Sequence, residues 1–273
     1  MNIVVCIKQV PDTNEVRLDP VTNTLIREGV PSIINPDDKA GLEVALRLKD
    51  ENPDDVKVTV LSMGPPQADA ALREALAMGA DDAYLVSDRA FGGADTWATS
   101  CTITGALEHL DYDLIVCGRQ AIDGDTAQVG PQIAEHIGIP QVSYVEELKL
   151  DDDKKGITVQ RQYEDRYHTI NVKFPCLITA ITELAEPRYM SVGKIFDAYK
   201  KDVTVWGLED IKDKLDLSNI GLKGSPTRVK KSFPKQGKGK GVLLTDLTAD
   251  EAAQEIVAKL QEKYIIWWGL WNE

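Results

Sequence analysis

A loop rich in glycine and in acidic and small polar residues lies near the middle of this 273-residue chain, and it is the stretch best suited to bind a ligand. It spans residues 118–128, between the apolar run 113–117 and a segment with an apolar residue at every fourth position, Val129, Ile133 and Ile137. The apolar run predicts a buried parallel strand, and the periodic segment predicts a helix. The loop would then join the carboxyl end of a strand to the amino end of a helix. Free backbone N–H groups at such a junction bind phosphate and other anions.

Proline and glycine mark the two ends of this predicted helix. Pro131 has no N–H group and belongs in the first turn, which predicts a helix start near Ala127 or Gln128, and Gly138 is a typical helix stop. The N–H groups of residues 126–129 would then be free for an anion. From this geometry alone, a capped surface loop without a ligand is an equally good interpretation.

Three further loops follow predicted parallel strands, after Cys6, at residues 62–66 and at residues 90–96. All would lie at the same edge of the sheet as residues 118–128. In the loop 90–96, Gly92-Gly93 lets the backbone approach a ligand, and Asp95 can cap a helix or accept a ribose or ribityl hydroxyl. No G-x-G-x-x-G motif follows the first strand, which disfavours a standard Rossmann dinucleotide site. A nucleotide would therefore be held mainly by residues 118–128.

These loops require a parallel sheet to bring them together. Strand and helix patterns alternate four times through residue 138, which predicts an α/β fold with a doubly wound, mostly parallel, Rossmann-like sheet. Asn35-Pro36 predicts a helix start, with Asn35 as its cap. Short strands after Pro140, including the buried run 175–181, predict an antiparallel extension. Together these elements form a predicted nucleotide-binding domain of residues 1–185.

The remaining chain has little apolar sequence of its own. Residues 200–273 therefore predict a C-terminal arm that is loose or laid on another subunit. Within it, the basic run 228–240 predicts a solvated connector, residues 249–264 predict a helix, and tryptophans at 267, 268 and 271 predict a docked tail. Near the amino terminus, residues 16–26 predict a small hairpin over the edge of the sheet.

Composition argues against several classes of function. The formal net charge of −13 disfavours nucleic acid as the main partner. The chain shows no signal peptide and no long apolar run, so we expect a cytoplasmic protein without a membrane partner. The four cysteines and three histidines have no metal-ligand spacing, and no catalytic triad or carboxylate pair stands out. We therefore predict neither a metal site nor a catalytic residue.

The central loop, Gly118-Arg119-Gln120-Ala121-Ile122-Asp123-Gly124-Asp125-Thr126-Ala127-Gln128, closely resembles the nucleotide loop of the electron-transferring flavoprotein beta subunit. Matches extend from Met1 to about residue 230. Residues 186–195 are similar to the recognition loop with which that family grips a dehydrogenase. Residues 91–96 and 123–128 look like those of the electron-bifurcating branch of the family.

The resemblance implies two sets of binding residues. The cofactor-binding set is Cys6, Asn35, Asp38, Met63, Gly64, Gly92, Gly93, Ala94, Asp95, Thr96, Gly118, Arg119, Gln120, Ala121, Ile122, Asp123, Gly124, Asp125, Thr126, Ala127, Gln128 and Val129. The partner-binding set lies in a recognition loop at residues 186–199 and consists of Arg188, Tyr189 and Val192. Val192 falls where the family has its anchoring apolar residue. The same resemblance implies that residues 200–273 wrap an alpha subunit.

For function, the resemblance implies one subunit of an NADH-dependent flavin oxidoreductase complex of anaerobes, with no complete active site of its own. In the bifurcating branch, FAD takes hydride from NADH and sends one electron to ferredoxin or flavodoxin. The other electron passes through the alpha-subunit FAD to a dehydrogenase, such as butyryl-CoA reductase, caffeyl-CoA reductase or lactate dehydrogenase. Two alternatives are an ordinary electron-transferring flavoprotein beta subunit with structural AMP, and a stand-alone adenine-nucleotide-binding domain.

Overall fold

The computed structural model describes residues 1–12, 31–230, 239, 241 and 243–266. The predicted hairpin at residues 16–26, most of the basic run after residue 230 and the three terminal tryptophans lie outside the described residues. Within the described residues, no helix is both long and apolar enough to cross a membrane.

Short apolar runs form the strands. They are β1 Asn2–Cys6, β2 Gln9–Pro11, β3 Ser32–Ile34, β4 Lys57–Met63, β5 Asp82–Val86, β6 Leu114–Gly118, β7 Gln141–Leu150, β8 Gly156–Tyr163, β9 Arg166–Lys173, β10 Cys176–Ala180 and β11 Thr204–Trp206. Nine of them form one sheet in the order β11-β5-β4-β1-β6-β10-β7-β8-β9, and β2 pairs with β3 in a small antiparallel sheet. From β11 to β7 all neighbours are parallel, whereas β8 and β9 are antiparallel additions. The predicted mostly parallel fold with an antiparallel extension is confirmed.

Helices cover both faces of the sheet. Within residues 1–232 they are α1 Pro36–Glu51, α2 Asp69–Met78, α3 Thr96–Leu107, α4 Val129–Ile137, α5 Val192–Ala198 and α6 Leu208–Ile211. A seventh helix, α7 Ala249–Glu262, follows later in the chain and is described separately. Because side chains alternate along a strand, Ile3 and Val5 of β1 pack in a core with α1 and α2, while Val4 packs on the opposite face with α3 and α4. The sheet is therefore doubly wound, as predicted.

One strand differs from its prediction. The run 175–181 was expected in the antiparallel extension, but β10 lies between β6 and β7 and runs parallel to both. The cause is a bend in β7, where Tyr144 has φ +60° and the register with β8 shifts after Val145. This bend carries Leu150 to the side of Asp113, at the amino ends of the parallel strands. The chain then returns through β8 and β9 to that end, so β10 enters the sheet in the same direction as β6.

Residues beyond 200 also pack on the sheet. β11 pairs in parallel with β5, and the ring of Trp206 lies 4.5 Å from the ring of Tyr84. Ile211 and Ile220 are buried in the core that contains α3 and α4. The first compact unit extends from Met1 to Ser232 and so includes residues beyond 200, and the predicted domain boundaries at residues 185 and 200 stay predictions. The wrapping of a partner by residues 200–273 stays a prediction.

The second unit, Phe233–Glu273, is described mainly by α7. This helix begins at a capping box, in which Thr248 accepts from the N–H of Glu251 and the Glu251 carboxylate accepts from the N–H of Thr248. It lies close to the predicted range of 249–264. None of its residues is buried, and Ile256 and Val257 are exposed.

Gly41 lets α1 lie close against the sheet, and this contact gives a test of the fold. A Cβ atom at Gly41 would lie 2.7 Å from Cγ1 of Val116 and 3.3 Å from Cβ of Ala180. We expect Gly41→Ala to lower the free energy of unfolding by about 1 to 3 kcal/mol, because the added methyl overpacks the core. Urea unfolding of the full chain measures the change. Gly193→Ala in α5 is the matched control, since a Cβ there meets no atom within 4 Å. Equal stability of the two variants would contradict this packing.

Candidate nucleotide-binding site

Four loops meet at the carboxyl edge of neighbouring strands β5, β4, β1 and β6. Lys8 Nζ, after β1, lies 2.6 Å from Asp123 Oδ1 in the central loop. Thr96 Oγ1, after β5, donates to Gln128 Oε1 at 2.8 Å. The Gly64 N–H, after β4, donates to the carbonyl oxygen of Val86 at 3.0 Å. The loops that the sequence places at one edge are thus joined by direct contacts.

The central loop has an unusual backbone. Asp125 and Ala127 have φ +50° and +52°, in the left-handed region that non-glycine residues seldom occupy. Gln128 follows in the right-handed helical region and precedes α4, which starts within about one residue of the predicted position. Alternation of left- and right-handed residues points successive N–H groups into one concavity, an arrangement that binds anions.

The N–H groups in this concavity are available to a ligand. Among the described residues, none accepts a hydrogen bond from the N–H groups of residues 126–129. Pro131 lies in the first turn of α4, and Gly138, with φ +77°, ends the helix as predicted. Free N–H groups and the positive end of the α4 dipole suit a phosphate or pyrophosphate.

Asp38 holds three chain segments together beneath this loop. Its carboxylate accepts from the backbone N–H of Lys8 at 2.7 Å and of Gly118 at 2.9 Å, and from Asn35 Nδ2 at 3.1 Å. Burial raises the pKa of Asp38 to about 7, against the lowering effect of these hydrogen bonds. Gly118 is required for the close approach, because a Cβ there would lie 2.1 Å from Asp38 Oδ1.

Asn35 occupies the predicted cap position of α1, but its side chain makes no cap hydrogen bond. Instead, Asn35 Nδ2 donates to the carbonyl oxygen of Gln120 at 2.8 Å, and Oδ1 accepts from the N–H of Ile122 at 3.1 Å. The sequence left two roles open for Asn35, as the cap of α1 or as a residue of the nucleotide site. Its side chain holds the central loop and does not cap α1.

Arg119 does not pair with Asp123 or Asp125, the two partners that its sequence neighbourhood offers. Its Nε lies 3.3 Å from Oδ2 of Asp37, and its guanidinium lies 5.7 Å from the centre of the Tyr144 ring. Burial raises the pKa of Asp37, and the charge of Arg119 acts in the opposite direction. Asp123 pairs with Lys8, as described above, and Asp125 Oδ1 accepts from Gln120 Nε2 at 2.9 Å. Arg119 is thus part of the support under the loop.

The loop at residues 90–96, here called the second loop, is held by α3 and by residues 222–227. Asp95 caps α3 by accepting from the N–H of Ala98 at 3.0 Å, and its other oxygen accepts from the N–H and the hydroxyl of Thr227. Gly93 has φ +72°, and the N–H of Leu222 donates to the carbonyl oxygen of the preceding glycine at 3.0 Å. Both oxygens of the Asp95 carboxylate therefore have protein partners.

The cysteines at the ends of β1 and β6 are adjacent. Cys6 is half-buried and Cys117 is buried, and both are free thiols. A hydrogen bond to Cys6 and burial raise the pKa of Cys117 well above its ordinary value. A protonated, buried thiol is a small core residue and a poor nucleophile.

The predicted recognition loop presents an exposed apolar surface. Arg188 anchors it, because its guanidinium contacts the carboxylates of Glu43 in α1, at 2.8 Å, and Asp50, at 2.7 Å. Burial acts to raise the pKa of Glu43, but its hydrogen bonds to Arg188 outweigh this effect and lower it. The exposed surface, here called the α5 patch, consists of Tyr189, Val192, Phe196 and Tyr199.

Sequence reasoning missed several contributors to the site. Lys8 and Asp37 adjoin predicted residues, and two acids in the first turn of α1 were a usable signal for Asp37. Ser225 and Thr227 contact Asp95 from about 130 residues away, so no local pattern could have found them.

The contacts of Asp38 give a second prediction. Asp38→Asn should lower the free energy of unfolding by about 1 to 3 kcal/mol, because the amide group would face a backbone N–H as a second donor. The folded-state pKa of Asp38 lies above the ordinary 3.8, so its contribution to stability falls as the pH rises from about 4 to about 7. The deficit of the variant, measured by urea unfolding, should therefore be larger at about pH 5 than at about pH 8. A deficit that grows with pH would contradict this assignment.

Comparison with known proteins agrees with this architecture. A model of the electron transfer flavoprotein domain matches residues 22–211. The electron transfer flavoprotein subunit beta of Clostridium acetobutylicum is 60% identical over 266 residues, which cover 97% of this chain and 100% of that protein.

Two further relatives are named for larger complexes. The caffeyl-CoA reductase-Etf complex subunit CarD of Acetobacterium woodii is 58% identical, and the acryloyl-CoA reductase electron transfer subunit gamma of Anaerotignum propionicum is 50% identical. Each match covers 97% of this chain and 100% of the relative. With a domain match over more than half of its length and relatives of this identity along nearly all of it, the chain belongs to the electron transfer flavoprotein beta-subunit family.

Proposed function

We propose that this beta subunit belongs to an electron-bifurcating flavoprotein and holds FAD between the second loop and the central loop. With its alpha subunit it would take hydride from NADH, deliver one electron to ferredoxin or flavodoxin, and deliver the other through the alpha-subunit flavin to a dehydrogenase. We also propose a cytoplasmic location. The observation that carries the nucleotide site is the concavity at residues 126–129, whose N–H groups have no acceptor among the described residues.

The concavity fits the pyrophosphate of a dinucleotide. Two non-glycine residues in the left-handed region cost free energy, and such strain is commonly found where a ligand binds. The N–H groups of residues 126–129 are free among the described residues and would donate to the phosphate oxygens. The phosphate would thus be bound by backbone groups, and its binding would not depend on a basic side chain.

Two observations favour FAD over a mononucleotide. The hydrogen bond between Thr96 and Gln128 joins the second and central loops, so a dinucleotide could contact both. A cavity of about 420 Å³ adjoins the second loop and is lined partly by Gly93 and Asp95. In addition, one relative is named as a subunit of a caffeyl-CoA reductase-Etf complex, and another as an acryloyl-CoA reductase electron transfer subunit.

When bound, FAD supplies the capacity to accept a hydride and to release electrons singly. The chain's own residues bind and orient the nucleotide and set the charge around it. Arg119 and Lys8 are the cations at the central loop, and each has a carboxylate partner, Asp37 and Asp123 respectively. Each pair is formally neutral, so it orients these side chains at the central loop without adding net positive charge there.

The partners would use two exposed surfaces. We propose that the α5 patch docks the dehydrogenase, with Val192 as the anchor, because its apolar side chains are exposed on and beside a helix that packs against α2. The acyl-CoA or enoyl-CoA reductase class, or a lactate dehydrogenase, would be that partner. The exposed apolar residues of α7 would contact the alpha subunit.

A second candidate is an ordinary electron carrier with structural AMP in the same concavity. It is favoured by Asp95, whose carboxylate already accepts hydrogen bonds from Ala98 and twice from Thr227 and so has less capacity left for a ribityl chain. The concavity itself fits the phosphate of either nucleotide.

The backbone strain at Ala127 gives the sharpest test of the site. Ala127→Val should bind nucleotide about tenfold more weakly, because a β-branched residue in the left-handed region costs about 1 to 3 kcal/mol. Ala127→Gly should retain binding. Nucleotide content after gel filtration of the heterodimer measures both.

The matched control for this test is Lys154→Val in the remote turn before β8, where φ is +55°. This substitution introduces similar strain away from the site. A loss of nucleotide from the control as large as that from Ala127→Val would refute the assignment of the concavity.

Nucleotide extraction from the purified heterodimer separates the two candidates. Bifurcation predicts about two FAD molecules per heterodimer, little AMP, and bleaching of the visible flavin spectrum by NADH. One FAD together with about one AMP would instead leave an ordinary electron carrier.

The α5 patch predicts a separable effect on the dehydrogenase. Val192→Asp should weaken docking by about 1 to 2 kcal/mol, because a charge replaces an apolar anchor, and should leave nucleotide content unchanged. Val205→Asp on β11 is the control, since the two valines are 70% and 56% exposed. Electron transfer to the dehydrogenase at increasing dehydrogenase concentration measures docking. Equal behaviour of the two variants would remove Val192 from the interface.

A further inference from the structure

The segment Ile220 to Thr227, here called the arm base, lies directly on the second loop. The N–H of Leu222 donates to the carbonyl oxygen of Gly92 at 3.0 Å. Gly93 also fits closely here, because a Cβ at its position would lie 3.2 Å from Cβ of Leu222. The arm base belongs to the first unit and lies five residues before its end at Ser232.

Asp95 is the centre of this contact. Thr227 donates to one carboxylate oxygen twice, from its N–H at 2.8 Å and from its hydroxyl at 2.7 Å. Buried Ser225 accepts from the N–H of Asp95 at 2.9 Å and donates to the carbonyl oxygen of Gly221 at 2.7 Å. Burial acts to raise the pKa of Asp95, but the hydrogen bonds from Thr227 and the start of α3 lower it overall. The carboxylate is therefore ionised, and the hydrogen bonds from Thr227 are charge-assisted.

Hydrogen bonds connect this contact with the central loop. The same Asp95 carboxylate caps α3, whose first residue, Thr96, donates to Gln128 at 2.8 Å. Gln128 is the residue that completes the concavity before α4. The arm base, the cap of α3 and the N–H concavity are thus linked residue by residue.

We propose that Thr227 and Ser225 are positioning residues for the nucleotide, and that seating of the arm base and binding of the nucleotide stabilise each other. The proposal rests on the proposed function only in that the concavity holds a nucleotide. Thr227 and Ser225 act through Asp95 and Thr96, and they need not touch the ligand. By linkage, the factor by which a seated arm base tightens nucleotide binding equals the factor by which nucleotide favours the seated arm base.

Substitution of Thr227 tests the first half of the proposal. Thr227→Val removes the charge-assisted hydroxyl hydrogen bond and keeps the shape of the side chain, whereas Thr227→Ser keeps the hydroxyl. In the nucleotide-depleted heterodimer, we expect Thr227→Val to raise the dissociation constants of FAD and AMP, whichever binds, by about 3- to 10-fold. Thr227→Ser should restore the wild-type value.

The matched control is Thr158→Val in β8, since Thr158 Oγ1 also donates to a carboxylate, that of Asp151 at 2.9 Å, away from the loops. A purely structural role would lower the thermal midpoint of nucleotide-free protein equally in both valine variants and leave both dissociation constants unchanged. Unchanged binding by Thr227→Val, or an equal loss of affinity in the Thr158→Val control, would overturn the proposal.

Limited proteolysis tests the second half of the proposal, that bound nucleotide stabilises the seated arm base. Arg228 and Val229 follow the arm base directly, and both are exposed. Saturating FAD or AMP should slow tryptic cleavage of the Arg228–Val229 bond by a similar factor of about 3 to 10. Mass spectrometry of the cleavage products measures the rate. Cleavage after Lys154 in the remote turn is the internal control and should not respond. A rate at Arg228 that is independent of nucleotide would refute the coupling.

The outcomes separate this inference from the proposed function. Binding of AMP alone would refute the FAD assignment and would leave the coupling to be decided by the AMP measurements. Binding of neither nucleotide by the wild-type heterodimer would refute both. Normal FAD binding with no response in Thr227→Val would refute only the role of the arm base.

Discussion

The carboxyl edge of the sheet depends on one buried carboxyl group, that of Asp38. It joins the chain that leaves β1, the start of α1 and the end of β6 through backbone N–H groups of Lys8 and Gly118 and the amide of Asn35. Burying a carboxyl group is costly unless every polar atom around it is satisfied. The three donors meet that condition only in one mutual arrangement of the three segments. The position of the central loop relative to α1 is thereby fixed before any ligand binds.

Hydrogen bonds and an ion pair also hold the strained backbone of the central loop. Asn35 holds Gln120 and Ile122, Lys8 holds Asp123, and Gln120 holds Asp125. Such contacts keep Asp125 and Ala127 in the left-handed region as part of folding. A ligand that needs this conformation then binds without having to order the loop, which is the general advantage of preorganised sites.

The sequence was informative where the physical cause is local. Apolar runs and glycine or proline punctuation predicted the strands, the limits of α4 and the meeting of the four loops, because each depends on a few neighbouring residues. Three features escaped prediction because their causes are distant in sequence. Arg119 pairs with Asp37 of α1, and β10 runs parallel because β7 bends at Tyr144. Residues 204–220 pack against β5 and the core of α3 and α4, elements that lie about 70 to 120 residues earlier in the chain. The last segment has little apolar sequence, so only its contacts reveal that it is part of the first unit.

The pairing of β11 with β5 has a consequence for the order of folding. β5 is synthesised early, yet its outer edge gains a partner only when Thr204–Trp206 has left the ribosome, after all the other strands of the sheet. Until then the ring of Tyr84 and a row of unpaired backbone groups remain open, and such edges promote aggregation. A chain that stopped before residue 204 would contain all four loops of the candidate site and still lack the protective edge of its sheet. The short strand β11 thus covers an edge of the sheet that stays open until late in synthesis.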